Sequence, residues 1–327
     1  MTNKILNWGL LSTARINRAL ITPLRASKRN SLVAVASRTQ ESADRYAREW
    51  KIPHAYGSYE AMLADPEIDV IYNSLPNHLH AEWTIKAIEA GKHVLCEKPL
   101  GLNVDEVDAM QSAARKYGRV LAEAFMYRHH PQTLKVQELA QNGSLGTLKL
   151  IRGSFSFALT HEGDVRLDPT MGGGSIWDVG CYPISYARSI VGENPLEVFG
   201  WQVTGPTGID ETFIGQMRFD HDVHAQFDCS FAIPLRWSME IVGSEGTLSI
   251  PNPFKPETDE KIYLTRGDKT ETIKIKGQEL YFGEVEDMAD AILLGREPRI
   301  SLNDSRANVA VISALLESAR MGRAIKI

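Results

Sequence analysis

The sequence predicts an α/β protein with two domains: an N-terminal doubly wound parallel sheet and a C-terminal α+β domain with a large, mostly antiparallel open sheet. Three observations support this prediction. Up to Ala124, short runs rich in β-branched residues alternate with segments of helical spacing. After the turn at Asn142–Gly146, strand patterns dominate. The chain of 327 residues, 43% of them hydrophobic, is long enough for two cores. We place the domains at residues 1–124 and 125–327, and allow for the final helix packing back on the first domain.

Strand-like runs and helical segments define the first domain. The runs are Ile5–Leu10, Ser31–Ser37, Val70–Ser74, His93–Cys96 and Val120–Ala124, and the helical segments between them include Asn77–Ala90 and Val104–Tyr117. Strands that alternate with helices in this way form a parallel sheet, whose ligands bind at the carboxyl ends of the strands. The stretch "EKPL", Glu97–Leu100, directly follows a predicted strand, so we expect it at that edge of the sheet.

The second domain shows the pattern of a sheet with one buried face. Apolar and polar residues alternate through Val223–Phe231. Further strands are predicted at Leu148–Leu159, Thr212–Phe219, Met239–Val242, Lys261–Leu264 and Thr272–Ile275, and helices at Ile176–Val191, Gly283–Leu294 and Ser305–Arg320. A half-exposed sheet of this kind needs covering, so we expect a homodimer or homotetramer through it.

Composition favours a small-molecule enzyme over a nucleic-acid or membrane protein. The net charge of -5 provides no basic field for either partner. Three scattered cysteines are too few for a disulfide framework or a zinc site, and the histidine pairs lack metal-ligand spacing, so no metal is predicted. No apolar run reaches membrane-spanning length and no signal-peptide pattern is present, so we expect a cytoplasmic protein.

The stretch "WGLLSTARI" is a weak match to a dinucleotide-binding turn. Gly9 ends the first strand, but Leu11 and Ala14 occupy the second and third glycine positions of the G-x-G-x-x-G pattern. Ser12 and Thr13, with the N-terminus of the next helix, would then have to bind the pyrophosphate. The alternative is an ordinary strand-to-helix turn. The candidate cofactor residues in this turn are Gly9, Ser12, Thr13, Ala14, Arg15 and Ile16.

The end of the second strand favours NADP over NAD as the cofactor. Ser37 and Arg38 stand where an NAD site usually has a carboxylate for the ribose 2′-hydroxyl. An arginine and a hydroxyl can instead bind a 2′-phosphate through charge-assisted hydrogen bonds. NAD stays possible. In the alternative reading, Ser37 or Thr39 caps the next helix and Arg38 is solvated.

Several motifs spread over most of the chain are similar to one family. They are "PNHLHAE", "AGKHVLCEKP", "EAFMYRHHP", "GGGSIWDVGCY" and "GSEGTL". Together they resemble the glucose-fructose oxidoreductase and inositol dehydrogenase family, Gfo/Idh/MocA, whose members are NAD(P)-dependent sugar and polyol oxidoreductases. The resemblance implies a Rossmann domain over 1–124 and a substrate-binding domain over 125–327.

The resemblance places the lysine of the E-K-P motif, Lys98, beside the nicotinamide and the substrate. An ammonium there stabilises a developing alkoxide and lowers the pKa of an acid-base group. The family pattern D-x-G-x-H is filled by Asp178, Gly180 and Tyr182, with tyrosine in place of histidine. This departure resembles the branch with xylose dehydrogenases, deoxysugar ketoreductases and dihydrodiol dehydrogenases, and argues against an inositol dehydrogenase.

Other reasons exist for the same residues. Asp178 with Ser175 spells a capping-box-like S-x-x-D, and Tyr182 can be a packing aromatic. Gly172–Gly174 would let the backbone approach substrate or cofactor. Arg128 is a candidate for cofactor contact and Arg166 for sugar hydroxyls, although solitary arginines are often surface ion pairs.

The sequence thus predicts catalytic roles for Lys98, Tyr182 and Asp178. The resemblance adds cofactor contacts at Ser74, Leu75, Asn77, His80, Glu97, Lys98 and Arg128, and substrate contacts at Arg166, Trp177 and Tyr182. We expect an aldose dehydrogenase of xylose or glucose type. The alternatives are a ketosugar reductase of deoxysugar or anhydrofructose type, a dihydrodiol dehydrogenase, and a non-catalytic nucleotide- or sugar-sensing regulator.

Overall fold

The computed structural model describes residues 4–161 and 163–327. The chain divides into two compact units. The first unit comprises Met1–Met126 and Tyr281–Arg306, and the second comprises Tyr127–Leu280 and Ala307–Ile327.

The first unit is built on a parallel sheet. Its strands are β1 (Leu6–Leu11), β2 (Asn30–Ala36), β3 (His54–Tyr56), β4 (Val70–Asn73), β5 (His93–Glu97) and β6 (Leu121–Ala124), and its helices before residue 127 are α1 (Asn17–Ala26), α2 (Gln40–Trp50), α3 (Tyr59–Leu63), α4 (His80–Glu89) and α5 (Val104–Tyr117). Within the described residues the strand order is β3-β2-β1-β4-β5-β6, with parallel pairs throughout. This order is typical of a dinucleotide-binding fold, and the predicted doubly wound sheet is confirmed.

The second unit is built on a larger sheet. It contains α6 (Pro131–Gln141), β7 (Leu148–Ser156), α7 (Cys181–Val191), β8 (Glu197–Thr204), β9 (Asp210–Arg218), β10 (His224–Ser230), β11 (Arg236–Gly243), β12 (Thr247–Ile250), β13 (Asp259–Arg266) and β14 (Lys269–Lys276), and later β15 (Ile325–Lys326). Among the residues described, the order is β14-β13-β12-β11-β7-β10-β9-β8-β15. The pairs are antiparallel except for the parallel pair of β7 and β10. The predicted mostly antiparallel sheet is confirmed.

One face of this second sheet is buried and the other is partly exposed. On β10, Ala225, Phe227 and Cys229 are buried, whereas His224 and Gln226 are exposed. The alternation predicted from the sequence is therefore confirmed from His224 to Cys229, whereas Ser230 at the end of the strand is buried. The helix α7 contacts β7 and β10 and so covers part of the buried face.

The last two helices are α8 (Phe282–Leu294) and α9 (Leu302–Met321). In the first unit, Arg29 at the start of β2 holds α8 through an ion pair of 2.6 Å with Glu286 and a second pair with Asp290. Arg306, where α9 still belongs to the first unit, pairs with Asp108 on α5 at 2.7 Å. Part of the chain that follows residue 280 thus completes the first unit.

Candidate active site

The turn between β1 and α1 lies at the carboxyl end of the sheet, next to β4, where the strand order reverses. A buried chain of hydrogen bonds closes this turn. The Ser12 hydroxyl lies 2.8 Å from the Ser74 hydroxyl, which donates to Asn17 Oδ1 at 2.6 Å. Asn17 Nδ2 in turn donates to the Ser12 carbonyl at 2.7 Å. The turn is therefore shaped by side chains where the usual pattern has glycines.

The predicted cofactor residues of this turn fall into two groups: some make structural contacts within the unit, and others are more exposed. The Ser12 side chain is buried and accepts from the Ala14 amide at 3.0 Å, so it holds the loop. A Cβ on Gly9 would lie 2.9 Å from Met62 Sδ, so this glycine lets β1 pack closely against the Met62 side chain on α3. Thr13 and Arg15 are more exposed, at the start of a helix that no side chain caps. The amides of Asn17 and Arg18 donate to the Ala14 and Arg15 carbonyls, so the positive end of the helix, rather than free amides, would attract a pyrophosphate.

The polar residues that follow β2 were predicted either to bind a 2′-phosphate or to cap the next helix. The Thr39 hydroxyl accepts from the Ser42 amide at 3.3 Å and caps α2, as the alternative reading expected of Thr39. Ser37 is buried, and its amide donates to the Tyr56 carbonyl at 3.0 Å. Arg38 is exposed at the carboxyl edge of the sheet.

The E-K-P loop after β5 is held by two carboxylates, Glu97 at the end of β5 and Glu123 on the neighbouring strand β6. The Tyr72 hydroxyl donates to Glu97, and burial raises the pKa of Tyr72 well above its ordinary value, so the phenol keeps its proton. The amide of Lys98 donates to Glu97 at 3.3 Å, and that of Leu100 donates to the buried Glu123 at 2.8 Å. Lys98 itself is half-buried, and its peptide bond to the following proline is cis. Glu97 and Glu123 thus fix the backbone on both sides of Lys98.

His80 lies at the start of α4 and is fully buried. Its Nδ1 lies 2.8 Å from the Pro99 carbonyl, and its Nε2 lies 2.8 Å from the Leu75 carbonyl. Burial, with a smaller effect from Lys98, lowers the pKa of His80 to about 4. The ring is therefore neutral at pH 7. A neutral imidazole has one N–H, so it donates to one of the two carbonyls, whereas a protonated ring could donate to both. The His80 ring thus contacts both the loop after β4 and the E-K-P loop, and holds one of them by a hydrogen bond.

The second unit presents its candidate residues on one helix. Ile176–Gly180 forms a π turn that continues directly into α7. Pro183 explains the wider turn, since it has no N–H and its ring excludes the carbonyl four residues earlier. Asp178 lies in the π turn and Tyr182 at the second residue of α7, about one turn later. The predicted helix thus begins with an irregular turn that carries Asp178.

Asp178 is paired with Arg166. The guanidinium Nε lies 2.9 Å from Asp178 Oδ2, and a second nitrogen lies 3.1 Å from Asp164. The Asp178 carboxylate also raises the pKa of Arg166. The Ser175 side chain makes no local capping bond, so the capping-box reading of Ser175 and Asp178 is wrong. The pair holds the Asp178 carboxylate against the Arg166 guanidinium, with 18% of the Asp178 side chain exposed.

Tyr182 belongs to an aromatic cluster. Its ring centroid lies 5.6 Å from that of Tyr127, 5.3 Å from Phe155 and 5.5 Å from Phe254. Tyr127 also stacks on Tyr186 at 5.5 Å. Only 5% of Tyr182 is exposed, so its ring orientation is fixed by packing.

The glycine run before the helix is packed against the chain itself. A Cβ on Gly173 would lie 2.5 Å from the Arg166 carbonyl oxygen. A Cβ on Gly174, which has φ +130, would lie 2.3 Å from Asp210 Oδ1. These two glycines are thus explained by close contacts within the second unit, in addition to the backbone approach to substrate or cofactor that we predicted.

The remaining predicted residues lie in various environments. Arg128 is buried and donates to the Ser185 hydroxyl on α7 at 3.0 Å. Trp177 is buried, and Asn77 begins a short 3₁₀ turn before α4. Asn17 and Asp210, which hold the turn after β1 and the start of the second-unit helix, were not predicted. A polar residue on the apolar face of α1 was a usable signal for Asn17, but nothing in "GIDET" marks Asp210 as buried.

Neither a metal site nor a membrane-spanning helix is found in the described part of the chain. No group of three or more His, Cys, Asp or Glu side chains is arranged to hold a metal ion there. In residues 4–161 and 163–327, no helix combines the length and apolar character needed to cross a membrane.

Comparison with known proteins gives consistent matches. Residues 6–125 match a family described as "Oxidoreductase family, NAD-binding Rossmann fold", and residues 133–249 match the GFO/IDH/MocA C-terminal domain. The chain is 36% identical over 325 residues to D-xylose 1-dehydrogenase (NADP(+)) 2 of Haloferax volcanii, covering 98% of this chain and 99% of that protein. It is 36% identical over 250 residues to trans-1,2-dihydrobenzene-1,2-diol dehydrogenase of Danio rerio, covering 75% and 74%. A solved 3-ketoreductase from Actinomadura kijaniata, in complex with NADP and TDP-benzene, superposes with a TM-score of 0.92 at 27% identity, covering 96% and 98%.

Proposed function

Because the chain belongs to the Gfo/Idh/MocA family of oxidoreductases with an NAD-binding Rossmann fold, we propose that it is an NADP-dependent sugar oxidoreductase, most simply an aldose dehydrogenase. One observation carries this proposal. Asp178, which is ion-paired with Arg166, and Tyr182, whose ring is held by aromatic packing, lie one turn apart on the same helix, in the branch pattern that has tyrosine in place of histidine. The similarity to a D-xylose 1-dehydrogenase over nearly the whole chain supports an aldose as substrate.

In the proposed reaction, Tyr182 exchanges the proton of the sugar hydroxyl. A bound nicotinamide supplies the hydride acceptor in the oxidative direction. A phenol has a pKa of about 10, so Tyr182 needs a positive charge to act near neutral pH. We assign this role to Lys98, whose backbone is fixed by Glu97 and Glu123. Asp178 accepts hydrogen bonds from sugar hydroxyls, and Arg166 orients its carboxylate.

Replacing the two proposed proton-handling groups tests the catalytic assignment. Tyr182→Phe and Lys98→Met should bind NADP normally and lose kcat by about 10²–10⁴-fold, the usual contribution of general acid-base catalysis. Tyr263→Phe on β13 and Lys116→Met on α5 are matched controls and should keep normal rates. Near-normal kcat in Tyr182→Phe would refute the assignment.

A substrate panel separates the alternative functions. Purified protein is incubated with NADP or NADPH and a set of pentoses, hexoses, ketosugars and dihydrodiols, and cofactor absorbance is followed. Turnover of pentoses or hexoses with NADP supports the aldose dehydrogenase. Turnover of ketosugars with NADPH would favour a ketosugar reductase, in line with the similarity to a 3-ketoreductase. Cofactor binding without turnover of any substrate would favour a regulator.

The exposed Arg38 supports the preference for NADP. We propose that it binds the 2′-phosphate together with the Ser37 hydroxyl. A charge-assisted hydrogen bond contributes about 1.5–3 kcal/mol, so Arg38→Ala should weaken NADP binding by about ten- to a hundredfold and leave NAD binding unchanged. Equal losses for both cofactors in calorimetry would contradict this role.

The exposed face of the second sheet supports a homo-oligomer. Trp201 on β8 and Ile214 on β9 are cross-strand neighbours, 56% and 48% exposed, and Val203 nearby is 61% exposed. We propose that a second copy covers this face. Light scattering should show a dimer or tetramer, and Trp201→Glu should shift it toward monomer. Leu294→Glu on α8, 52% exposed in the first unit, is the control. A wild-type monomer at micromolar concentration would contradict the proposal. A cytoplasmic location stays a prediction.

A further inference from the structure

The π turn that carries Asp178 begins on a carboxylate from a distant strand. Asp210, the first residue of β9, is 5% exposed. Its Oδ2 accepts from the Ser175 hydroxyl at 2.8 Å and from the Ile176 amide at 2.7 Å. Its other oxygen faces the Cα of Gly174, since a Cβ there would lie 2.3 Å from Oδ1. The carboxylate therefore contacts three consecutive residues at the start of the helix.

We propose that Asp210 is a positioning residue of the active site, which sets where the π turn and α7 begin and thereby places Asp178 and Tyr182. This inference rests on the proposed function, because it takes the roles of these two side chains from there.

The chemistry of helix ends explains why this contact controls the helix. The first amides of a helix have no partner within the helix, and a negative charge near them is stabilising. Ser175 provides no local cap, and Asp210 takes that role from outside. The amide of Ile176, which Asp210 binds, lies two residues before Asp178. A shift of the first turn is therefore transmitted directly to the Asp178 carboxylate.

Asp210 and the π turn that it contacts are buried and closely packed, which indicates that the position of this carboxylate is fixed. Burial raises the pKa of Asp210 to about 6, against the opposing effect of its hydrogen bonds. The Ser175 hydroxyl also lies 3.4 Å from the buried Cys229 thiol on β10. A Cβ on Gly180 would lie 2.8 Å from the same sulfur, so the end of the π turn also packs closely, here on β10. The turn is thus held at both ends by neighbouring strands.

The size of the expected effect follows from catalytic geometry. A displacement of about 1 Å at a catalytic group can cost about 10²-fold in rate. Asp210→Ala removes both acceptor bonds and should lower kcat by about 10- to 100-fold, with NADP affinity within about twofold of wild type. Asp210→Asn keeps a side-chain oxygen for the same two donors and should retain kcat within about threefold. Ser175→Ala removes one of the two bonds and should fall between these variants.

Two measurements separate positioning from general stability. Leu248→Ala on the buried side of β12 serves as the stability control, because it opens a cavity in the same unit away from the helix. Hydrogen exchange of the amides in residues 175–182 should accelerate in Asp210→Ala, and stay as in wild type in Asp210→Asn and Leu248→Ala.

The outcomes are distinguishable. Loss of kcat in Asp210→Ala, retention in Asp210→Asn and in Leu248→Ala, and faster exchange confined to the alanine variant would support the inference. Normal kcat in Asp210→Ala, with only a lower melting temperature, would overturn it. If Asp210→Ala does not fold, Ser175→Ala is the deciding variant. A normal kcat and normal amide exchange in Ser175→Ala would overturn the inference that Asp210 positions the helix. Full activity of Tyr182→Phe would instead refute the proposed function, and the exchange data would still test the positioning.

Discussion

The two units fix their candidate residues by different means. In the first unit, the turn after β1 is closed by several hydrogen bonds among Ser12, Asn17 and Ser74, and the E-K-P loop is tied by further bonds to strands on both sides. In the second unit, one helix start depends on a single carboxylate, Asp210, and on close glycine contacts.

This difference bears on how each unit responds to a change. Several bonds that share one loop can replace each other in part, because a single net hydrogen bond contributes only about 0.5–1.5 kcal/mol. The close contacts of the glycines in the second unit cannot be replaced in this way, because protein interiors are densely packed and neighbouring atoms can move only a little. We therefore expect the second unit to be the more sensitive of the two to substitutions around its site.

The largest effect is expected for Gly174→Ala. The new Cβ would meet Asp210 Oδ1 at 2.3 Å, and the φ of +130 is unfavourable for alanine. Overpacking and backbone strain together should destabilise the protein by about 3 kcal/mol or more. Thermal unfolding checks this, and kcat should fall as well because the helix start moves.

Gly192→Ala is the matched control for this substitution. Gly192 also has a positive φ, at +84, in the second unit, but a Cβ there meets nothing within 4 Å. Its replacement should cost about 1 kcal/mol and leave kcat unchanged. Equal losses at the two positions would show that the close contact with Asp210 is unimportant and that the second unit is not unusually sensitive.

Much of the fold could be predicted from the sequence, for a clear reason. Buried parallel strands and the alternation on β10 leave strong hydrophobic patterns. The strand β3 has only three residues, none of them buried, and β8 is exposed along half its length, including the apolar Trp201 and Val203, so neither strand shows the pattern of a buried face and neither was predicted. The split of α9 between the two units depends on tertiary contacts that no local pattern records.

The candidate site was predictable only in part. The resemblance singled out Lys98, Asp178 and Tyr182, because their motifs are specific. The residues that position these side chains could not be predicted from the sequence. Asp210 lies 32 residues after Asp178 in the sequence, and its burial depends on the pairing of β9 within the sheet. Supporting residues of this kind are set by the fold, and local sequence carries no signal for them.

Acid should affect the two units in opposite directions. His93 on β5 accepts from the Val120 amide at 2.9 Å, and burial lowers its pKa to about 4. Because an unfolded histidine titrates near 6.5, this stability is complete above that pH and is lost as the pH falls toward 4. The loss is at most about 3 kcal/mol. Asp210 has a raised pKa, so its contribution is complete below about 4 and is lost as the pH rises through 6.

His93→Asn isolates the contribution from the first unit. Asparagine keeps an oxygen that can accept from the Val120 amide but does not titrate. Urea unfolding at pH 7.5 and 5 should show a smaller loss of stability on acidification for His93→Asn than for wild type. Identical losses would show that His93 does not make the first unit sensitive to acid.

The smallest effect is expected where hydrogen bonds are most numerous. Asn17→Ala removes the acceptor of the Ser74 hydroxyl and the donor to the Ser12 carbonyl, but the direct contact between the two serine hydroxyls remains. We expect a destabilisation of about 1–2 kcal/mol, and a weakening of NADP binding by about three- to tenfold because the turn before α1 becomes less ordered. Asn7→Ala is the control. It removes an exposed hydrogen bond of 2.9 Å from the Asn7 side chain to the Glu67 carbonyl, and it should change neither stability nor NADP binding. A loss in Asn17→Ala as large as that of Gly174→Ala would mean that the bonds in the first unit do not replace one another, and the contrast between the units would then fail.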